Sequence, residues 1–390
     1  MYDHQSFTPI GITNWRNSNT LFGIKPKDRL QHIYCLGKTG VGKSTLLINM
    51  VLDDIRKGFG ICVIDPHGDT AEIIMKYIPE YRKNDIVYFN ATDQAQLPGF
   101  NPLYKVPEHE RHLVASEIVL TFKKIWIDSW GPRLEYILRF AILTLLDYPT
   151  ATLLDIQPLL LDKAFRSLVL QFTTNENIHS FWFNEFDKYP PNLKADAITP
   201  ILNKAGVFRA NETLRAIVGQ QGGISLDTLM NNGQILICNL SKGLIGEDVS
   251  TLLGSLLTTS IQIAAMHRAH VSEQNRTPFY VYIDEAHSFL STSFATMLSE
   301  VRKYGIGLFL THQYLEQLTE EVRSAILGNV GTIICFRLGA TDAKVMTEEF
   351  FPVFSIVDFI NLPKYSIYLK LLIDGTTSVP FSAVTLPPEK

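Results

Sequence analysis

Residues 32–58 read "HIYCLGKTGVGKSTLLINMVLDDIRKG", and the architecture of the chain follows from how this stretch folds. Its first residues form a short apolar run suited to a buried strand. Gly37-Lys38-Thr39-Gly40-Val41-Gly42-Lys43-Ser44 then keeps the Walker A spacing, glycines included. Glycines at these positions let backbone N–H groups converge on a phosphate, and the helix that follows points its positive end at the same anion. Lys43 is expected to bridge the β- and γ-phosphates of ATP, and Ser44 to ligate Mg2+. Thr45 completes the expected nucleotide-binding set. The helix should stop near Arg56-Lys57-Gly58, where basic residues suit the dipole and glycine suits the turn.

A second stretch supplies the carboxylates. "PFYVYIDEA", residues 278–286, is an apolar strand ending in two acids. In the Walker B reading Asp284 holds the Mg2+ shell, and Glu285 orients and deprotonates the attacking water.

The two motifs belong to an α/β chain. Eight short apolar runs recur between helical segments: "HIYCLG", "FGICVIDP", "DIVYFN", "QILICNL", "PFYVYIDE", "GIGLFLTH", "TIICFRL" and "SIYLKLLID". Continuous apolar runs of this kind suit strands covered on both faces, as in a mostly parallel sheet flanked by helices. The alternation breaks between about 105 and 222. There "RLEYILRFAILTLLDYP" carries Leu134, Ile137, Leu138, Ala141, Ile142, Leu145 and Leu146 on one helical stripe ahead of Pro149. Further helical segments follow in "TLLDIQPLLLDKAFRSLVLQF" and "NLKADAITPILNKAGVF". The expected organisation is an N-terminal segment (1–30), a first nucleotide-binding part (31–104), an inserted all-helical domain (105–222) and a second nucleotide-binding part (223–390).

Composition sets limits. With 390 residues, 46% hydrophobic and 19% charged, the chain has ample core for two domains. The net charge of −4 argues against a protein that coats DNA, though not against one that grips it inside a small pore. The insert carries thirteen basic and thirteen acidic residues, which marks no DNA clamp. Cys35, Cys62, Cys238 and Cys335 each sit in a strand-like run, too far apart in sequence for a metal knuckle, and read as core residues in a reducing, cytoplasmic compartment. The N-terminus lacks a signal-peptide core. "STLLGSLLTTSIQIAAMH", residues 250–267, is too rich in Ser and Thr to span a bilayer and reads as a buried helix.

Asp284-Glu285-Ala286-His287 also spells the signature of a class of helicases. In those proteins both Walker motifs share one compact domain, and an arginine-rich box containing Gly-Arg follows in a second. Here Lys43 and Asp284 are 241 positions apart and the dipeptide Gly-Arg is absent. The spelling is therefore a coincidence, and His287 is a helix-start residue.

Two other stretches suggest a different relative. "VIDPHGDT", residues 63–70, puts Asp65, His67 and Asp69 at a strand's carboxyl end, where α/β ligand sites lie. "LSEVRKYGIGLFLTHQYLEQL" supplies Arg302 and then a strand ending at Thr311-His312-Gln313. With "GNVGTIICFRLGATDA", the order and spacing resemble the HerA/FtsK superfamily of ring-forming DNA motors, most closely the conjugative coupling proteins and type IV secretion ATPases. The resemblance implies a RecA-like fold and a hexameric DNA translocase using ATP and Mg2+. Gln313 would sit beside the γ-phosphate, and Arg302 would be an arginine finger reaching a neighbour's nucleotide. Arg337 is a second candidate for a trans-acting charge. Implied partners are DNA, further copies of the chain, and a relaxase, secretion component or separate nuclease. About 30 residues precede the strand that leads into the phosphate loop, too few for the membrane helices or β-barrel such proteins carry there. Two other readings stay open: the motor of a DNA-processing or anti-phage defence complex, and a protein-export ATPase that does not bind DNA.

Overall fold

The computed structural model describes residues 7–14, 18–290 and 293–388. The start of the expected N-terminal segment, residues 1–6, lies outside them. Within the described residues the strands are β1 (Thr8–Thr13), β2 (Leu21–Ile24), β3 (Ile33–Leu36), β4 (Gly60–Asp65), β5 (Ile86–Asn90), β6 (Ile235–Asn239), β7 (Phe279–Ile283), β8 (Ile306–His312), β9 (Thr332–Cys335), β10 (Ser366–Lys370), β11 (Leu372–Ile373), β12 (Thr376–Thr377) and β13 (Phe381–Thr385). All eight strands expected from apolar runs are present, as β3 to β10.

Eleven of these form one sheet in the order β2-β1-β13-β10-β9-β3-β8-β7-β4-β6-β5. From β9 to β5 every pairing is parallel. From β9 outward through β10, β13 and β1 to β2 every pairing is antiparallel. Two consequences position the site. The carboxyl ends of the parallel strands share one edge, with Leu36 level with His312 and Cys335, and Ile283 level with Ile64 and Leu310. In addition, β8 lies between the phosphate-loop strand β3 and the acidic strand β7, so whatever ends β8 stands between the two motifs.

The chain divides into two compact units. The first comprises residues 1–90, 226–243 and 264–390 and contains the sheet. The second comprises residues 91–225 and 244–263 and is helical. It begins earlier than the insert read from sequence, because 91–104 carries no apolar periodicity to signal either class. It also takes in 244–263, most of the apolar helix that follows β6.

In the sheet unit, helix Lys43–Arg56 buries Leu46, Leu47, Met50, Val51, Leu52 and Ile55. Each such side chain contributes about 1.5–3 kcal/mol when fully buried. Gly58, just past the helix, adopts φ +84°, the left-handed turn that glycine allows without strain. The four cysteines are free and buried. In the helical unit, Pro132–Leu146 buries all seven residues of its expected stripe. Pro158 sits in the first turn of Ile156–Leu161, part of a segment broken into short helical pieces. Helix Glu247–His270 is long and apolar enough to cross a membrane, but 83% of its most apolar window is buried, as in a core helix.

Candidate nucleotide-binding site

The phosphate loop is held by its neighbours as well as by its own glycines. Gly37 N donates to His312 O (3.3 Å) and Lys38 N to Arg337 O (3.0 Å), so the loop hangs between the ends of β8 and β9. Gly40 and Gly42 adopt φ +73° and +123°, backbone that only glycine takes without strain. Lys43, nearly buried, folds back so that Nζ donates to Gly37 O (2.6 Å) and Lys38 O (3.0 Å). Its ammonium is thereby held inside the loop that would surround a phosphate.

A cleft of about 380 Å3 opens beside it, lined by Thr39, Gly40, Gly42, Lys43, Ser44, Thr45, His67, Asp284, Glu285, Gln313, Lys364 and Tyr365. Six residues of the expected loop set thus face one cavity. Gly37 and Val41 are buried beneath the loop, and Lys38 faces an adjoining cavity shared with Tyr314, Glu316 and Asp342.

The two acids differ in setting. Asp284 is 4% exposed, and its Oδ1 accepts the Thr311 hydroxyl and Glu285 N (3.1 Å). Burial pushes the Asp284 carboxyl above the usual carboxylate range; the Thr311 hydrogen bond opposes this, Glu285 adds to it, and His67 and Lys43 also oppose it. Glu285 takes φ +48°, a left-handed backbone uncommon for this residue, which turns the chain directly after the strand. Its Oε1 accepts Gln313 Nε2 at 2.7 Å, and Gln313 Oε1 accepts the Thr39 hydroxyl at 3.0 Å. A continuous bridge therefore runs from the phosphate loop through the end of β8 to the acid at the end of β7.

The donor set fits a hard divalent cation. A buried carboxylate penalised by burial, a nearby exposed hydroxyl (Ser44) and a glutamate oxygen, Glu285 Oε2, that accepts no hydrogen bond all face or border the cleft. Oxygen donors of this kind suit Mg2+ bound together with phosphate.

The motif residues in the "VIDPHGDT" stretch separate. Asp65 is buried and accepts His67 N (2.8 Å) and Ala71 N (2.9 Å), fixing the turn after β4. His67 is exposed on the cleft wall, and Asp69 is the first residue of helix Asp69–Tyr77. Two histidines, to which the sequence assigned no chemical role, lie behind the site. His312 is fully buried, bonded through Nε2 to the Tyr34 hydroxyl (3.0 Å), and burial pushes its pKa down to about 3. It stays neutral and adds no charge beside Lys43. His287 Nδ1 lies 3.4 Å from Glu285 Oε2.

Arg302 stands apart from the cleft. It is exposed in the 3-10 turn Val301–Tyr304, which leads into the amino end of β8, whereas Gln313 follows the carboxyl end of that strand. Seven residues of strand, about 23 Å at roughly 3.3 Å each, separate the two edges. Its charge is felt by His32, which directly precedes β3 at that same far edge. Arg337 is half-buried two residues after β9, on the loop side of the sheet.

Residues 16–261 match the family model described as "Helicase HerA, central domain". The chain belongs to the HerA family of P-loop ATPases. Within this HerA-type chain, residues 278–349 also match the model described as the TraM recognition site of TraD and TraG. No curated protein matches in sequence. Among solved structures, the unbound bacterial conjugative coupling protein TrwB is similar with a TM-score of 0.65 at 14% identity, over 94% of this chain and 88% of that one. TrwB with a non-hydrolysable ATP analogue gives 0.65 at 15%, over 97% and 90%. VirB4 of Thermoanaerobacter pseudethanolicus gives 0.64 at 13%, over 98% and 96%. At such identities the likeness is one of fold, and it is the mostly parallel, helix-flanked sheet described above. The HerA-type P-loop ATPase core was thus legible in the sequence.

Proposed function

We propose that this HerA-type ATPase is the motor of a ring-forming DNA translocase, with conjugative DNA transfer as its setting. The observation that carries the motor reading is the Thr39–Gln313–Glu285 bridge, because it ties the phosphate loop to the catalytic carboxylate through the end of β8. A γ-phosphate entering the cleft would compete for the Thr39 and Gln313 groups and free Glu285. Gain and loss of that phosphate would then be felt along β8, and Arg302 stands in the turn that leads into its other end. This links chemistry in one subunit to a surface that can meet the next.

TrwB has been solved with ADP and Mg2+, and we assign ATP and Mg2+ to the present cleft. When bound, the metal supplies charge neutralisation on the phosphate oxygens, and Ser44 and Asp284 would hold it. Lys43 would bind the β- and γ-phosphates. Glu285, freed in this way, would take the proton of the attacking water, with Gln313 beside the γ-phosphate orienting that water. The match of residues 278–349 to a segment named for recognition of TraM supports a setting in which a partner protein docks. For that reason we place conjugative transfer ahead of the defence reading.

The test is the ATPase rate with and without DNA on a size-resolved sample. DNA-stimulated turnover confined to the oligomeric fraction is expected, and turnover indifferent to DNA would favour the protein-export reading. Binding should also be independent of sequence and steeply salt-dependent, since contacts along a pore go mainly to phosphates. The logarithm of affinity should fall linearly with the logarithm of salt concentration, by roughly 0.9 per phosphate contacted in duplex DNA. Tight, salt-insensitive binding to one sequence would refute this.

A further inference from the structure

The cleft contains two side chains that no motif accounts for, Lys364 and Tyr365. They precede β10, and β10 runs antiparallel to β9. Its amino end therefore lies at the same edge as the carboxyl ends of the parallel strands, beside the phosphate loop. A strand added in the parallel sense would have put this corner at the far side of the sheet.

The corner is built onto the loop. Tyr365 N donates to Val41 O at 2.8 Å, and Tyr365 O accepts Thr385 N (2.9 Å) and the Thr385 hydroxyl (3.2 Å). Tyr365 holds φ +66°, a left-handed backbone costly for an aromatic residue and tolerated only where surrounding bonds enforce it. Its ring lies against Gly42: a Cβ added there would meet Tyr365 Cδ1 at 2.7 Å and Phe336 Cε1 at 3.1 Å. Gly42 thus has two reasons to be glycine, its φ and this ring. Lys364 is exposed, and its ammonium lies 4.9 Å from the Tyr365 ring centroid.

The charges of the cleft explain what such a lysine could do. Lys43 Nζ is committed to two loop carbonyls, while Asp284 and Glu285 bring two carboxylates. Arg302 stands at the opposite edge. Among the described residues, the cleft is lined by two lysines, Lys43 and Lys364, both from the same chain.

We propose that Lys364 and Tyr365 form a nucleotide clamp acting in cis, with the Lys364 ammonium on phosphate oxygens of the bound nucleotide and the Tyr365 ring bracing the loop at Gly42. Lys364 is a binding residue for the polyphosphate, and Tyr365 positions it. The proposal rests on the nucleotide reading of the cleft.

The experiment measures Mg-ATP affinity by calorimetry on the full chain, first for the unaltered protein and then for Lys364→Ala, Lys364→Arg and Tyr365→Ala. Losing one charge-assisted contact in a partly exposed cleft should weaken binding on the order of tenfold. Lys364→Ala should show that loss with an unchanged unfolding temperature, because the side chain is exposed and makes no buried contact. Lys364→Arg should restore affinity to within about twofold, since charge and reach are kept. Tyr365→Ala should weaken binding by a similar factor. Failure of the unaltered protein to bind Mg-ATP would refute the nucleotide reading itself. Normal binding by the unaltered protein and equally tight binding by Lys364→Ala would overturn the clamp alone. A loss that arginine does not restore would also overturn it, because a phosphate contact depends on charge.

Discussion

Glu285→Gln should bind Mg-ATP normally and turn it over at least ~100-fold more slowly, the scale expected when a general base is removed. The geometry makes this substitution a clean one. Glu285 Oε1 accepts a hydrogen bond from Gln313 Nε2, and a glutamine oxygen can accept the same bond. The Thr39–Gln313 half of the bridge is untouched. What is lost is the negative charge and the ability to take a proton. Lys43→Ala should fail differently. Removing an ammonium that sits inside the loop leaves Gly37 O and Lys38 O without their donor and the phosphates without their counter-ion. Both affinity and turnover should be lost. Turnover assays paired with nucleotide titrations separate the two patterns. Near-normal turnover in Glu285→Gln would show that Glu285 is not the base.

The sequence was most informative where one local rule governs a residue. The strands β3 to β10 read as apolar runs because most are covered on both faces. The loop glycines and Lys43 read as a motif because their spacing is set by phosphate size, and Asp284 with Glu285 because a carboxylate pair must end a strand to reach that phosphate. The N-terminal strands were missed for a physical reason. In β1, "TPIGIT", a proline, a glycine and two threonines interrupt any apolar run, and in β2 only one residue, Ile24, is buried. Such strands are made by pairing at a sheet's antiparallel edge, which leaves little local pattern. Lys364 and Tyr365 were invisible for a related reason. Nothing in "NLPKYS" announces a ligand site; only the direction of β10 beside β9 brings this corner to the phosphate loop. His67 had no assignable role in sequence, and the structure puts it on the wall of the cleft that Asp284 also lines.

The position of Arg302 yields the sharpest test of assembly. It lies just before the amino end of β8, a strand's length from the chain's own cleft, and would be out of reach of a nucleotide bound there. An arginine finger at this position must act on another subunit, and a closed ring with head-to-tail contacts brings such unlike surfaces together. Arg302→Ala should then keep ATP affinity largely intact while losing most hydrolysis, because a finger stabilises charge that develops in the transition state. Lys43→Ala is inactive for its own reason. In a ring mixed from the two variants, a subunit with Lys43 but no Arg302 can sit beside one with Arg302 but no Lys43. Their junction, in one of its two orders, rebuilds a complete site. Co-assembled inactive variants should therefore recover part of the unaltered protein's turnover, with a maximum near equal proportions. If Arg302 has no part in a neighbour's site, its alanine variant retains activity and mixing yields only an average. Background activity throughout, in rings proven to be mixed by differential tags, would sink the trans assignment, because no junction would then be complete.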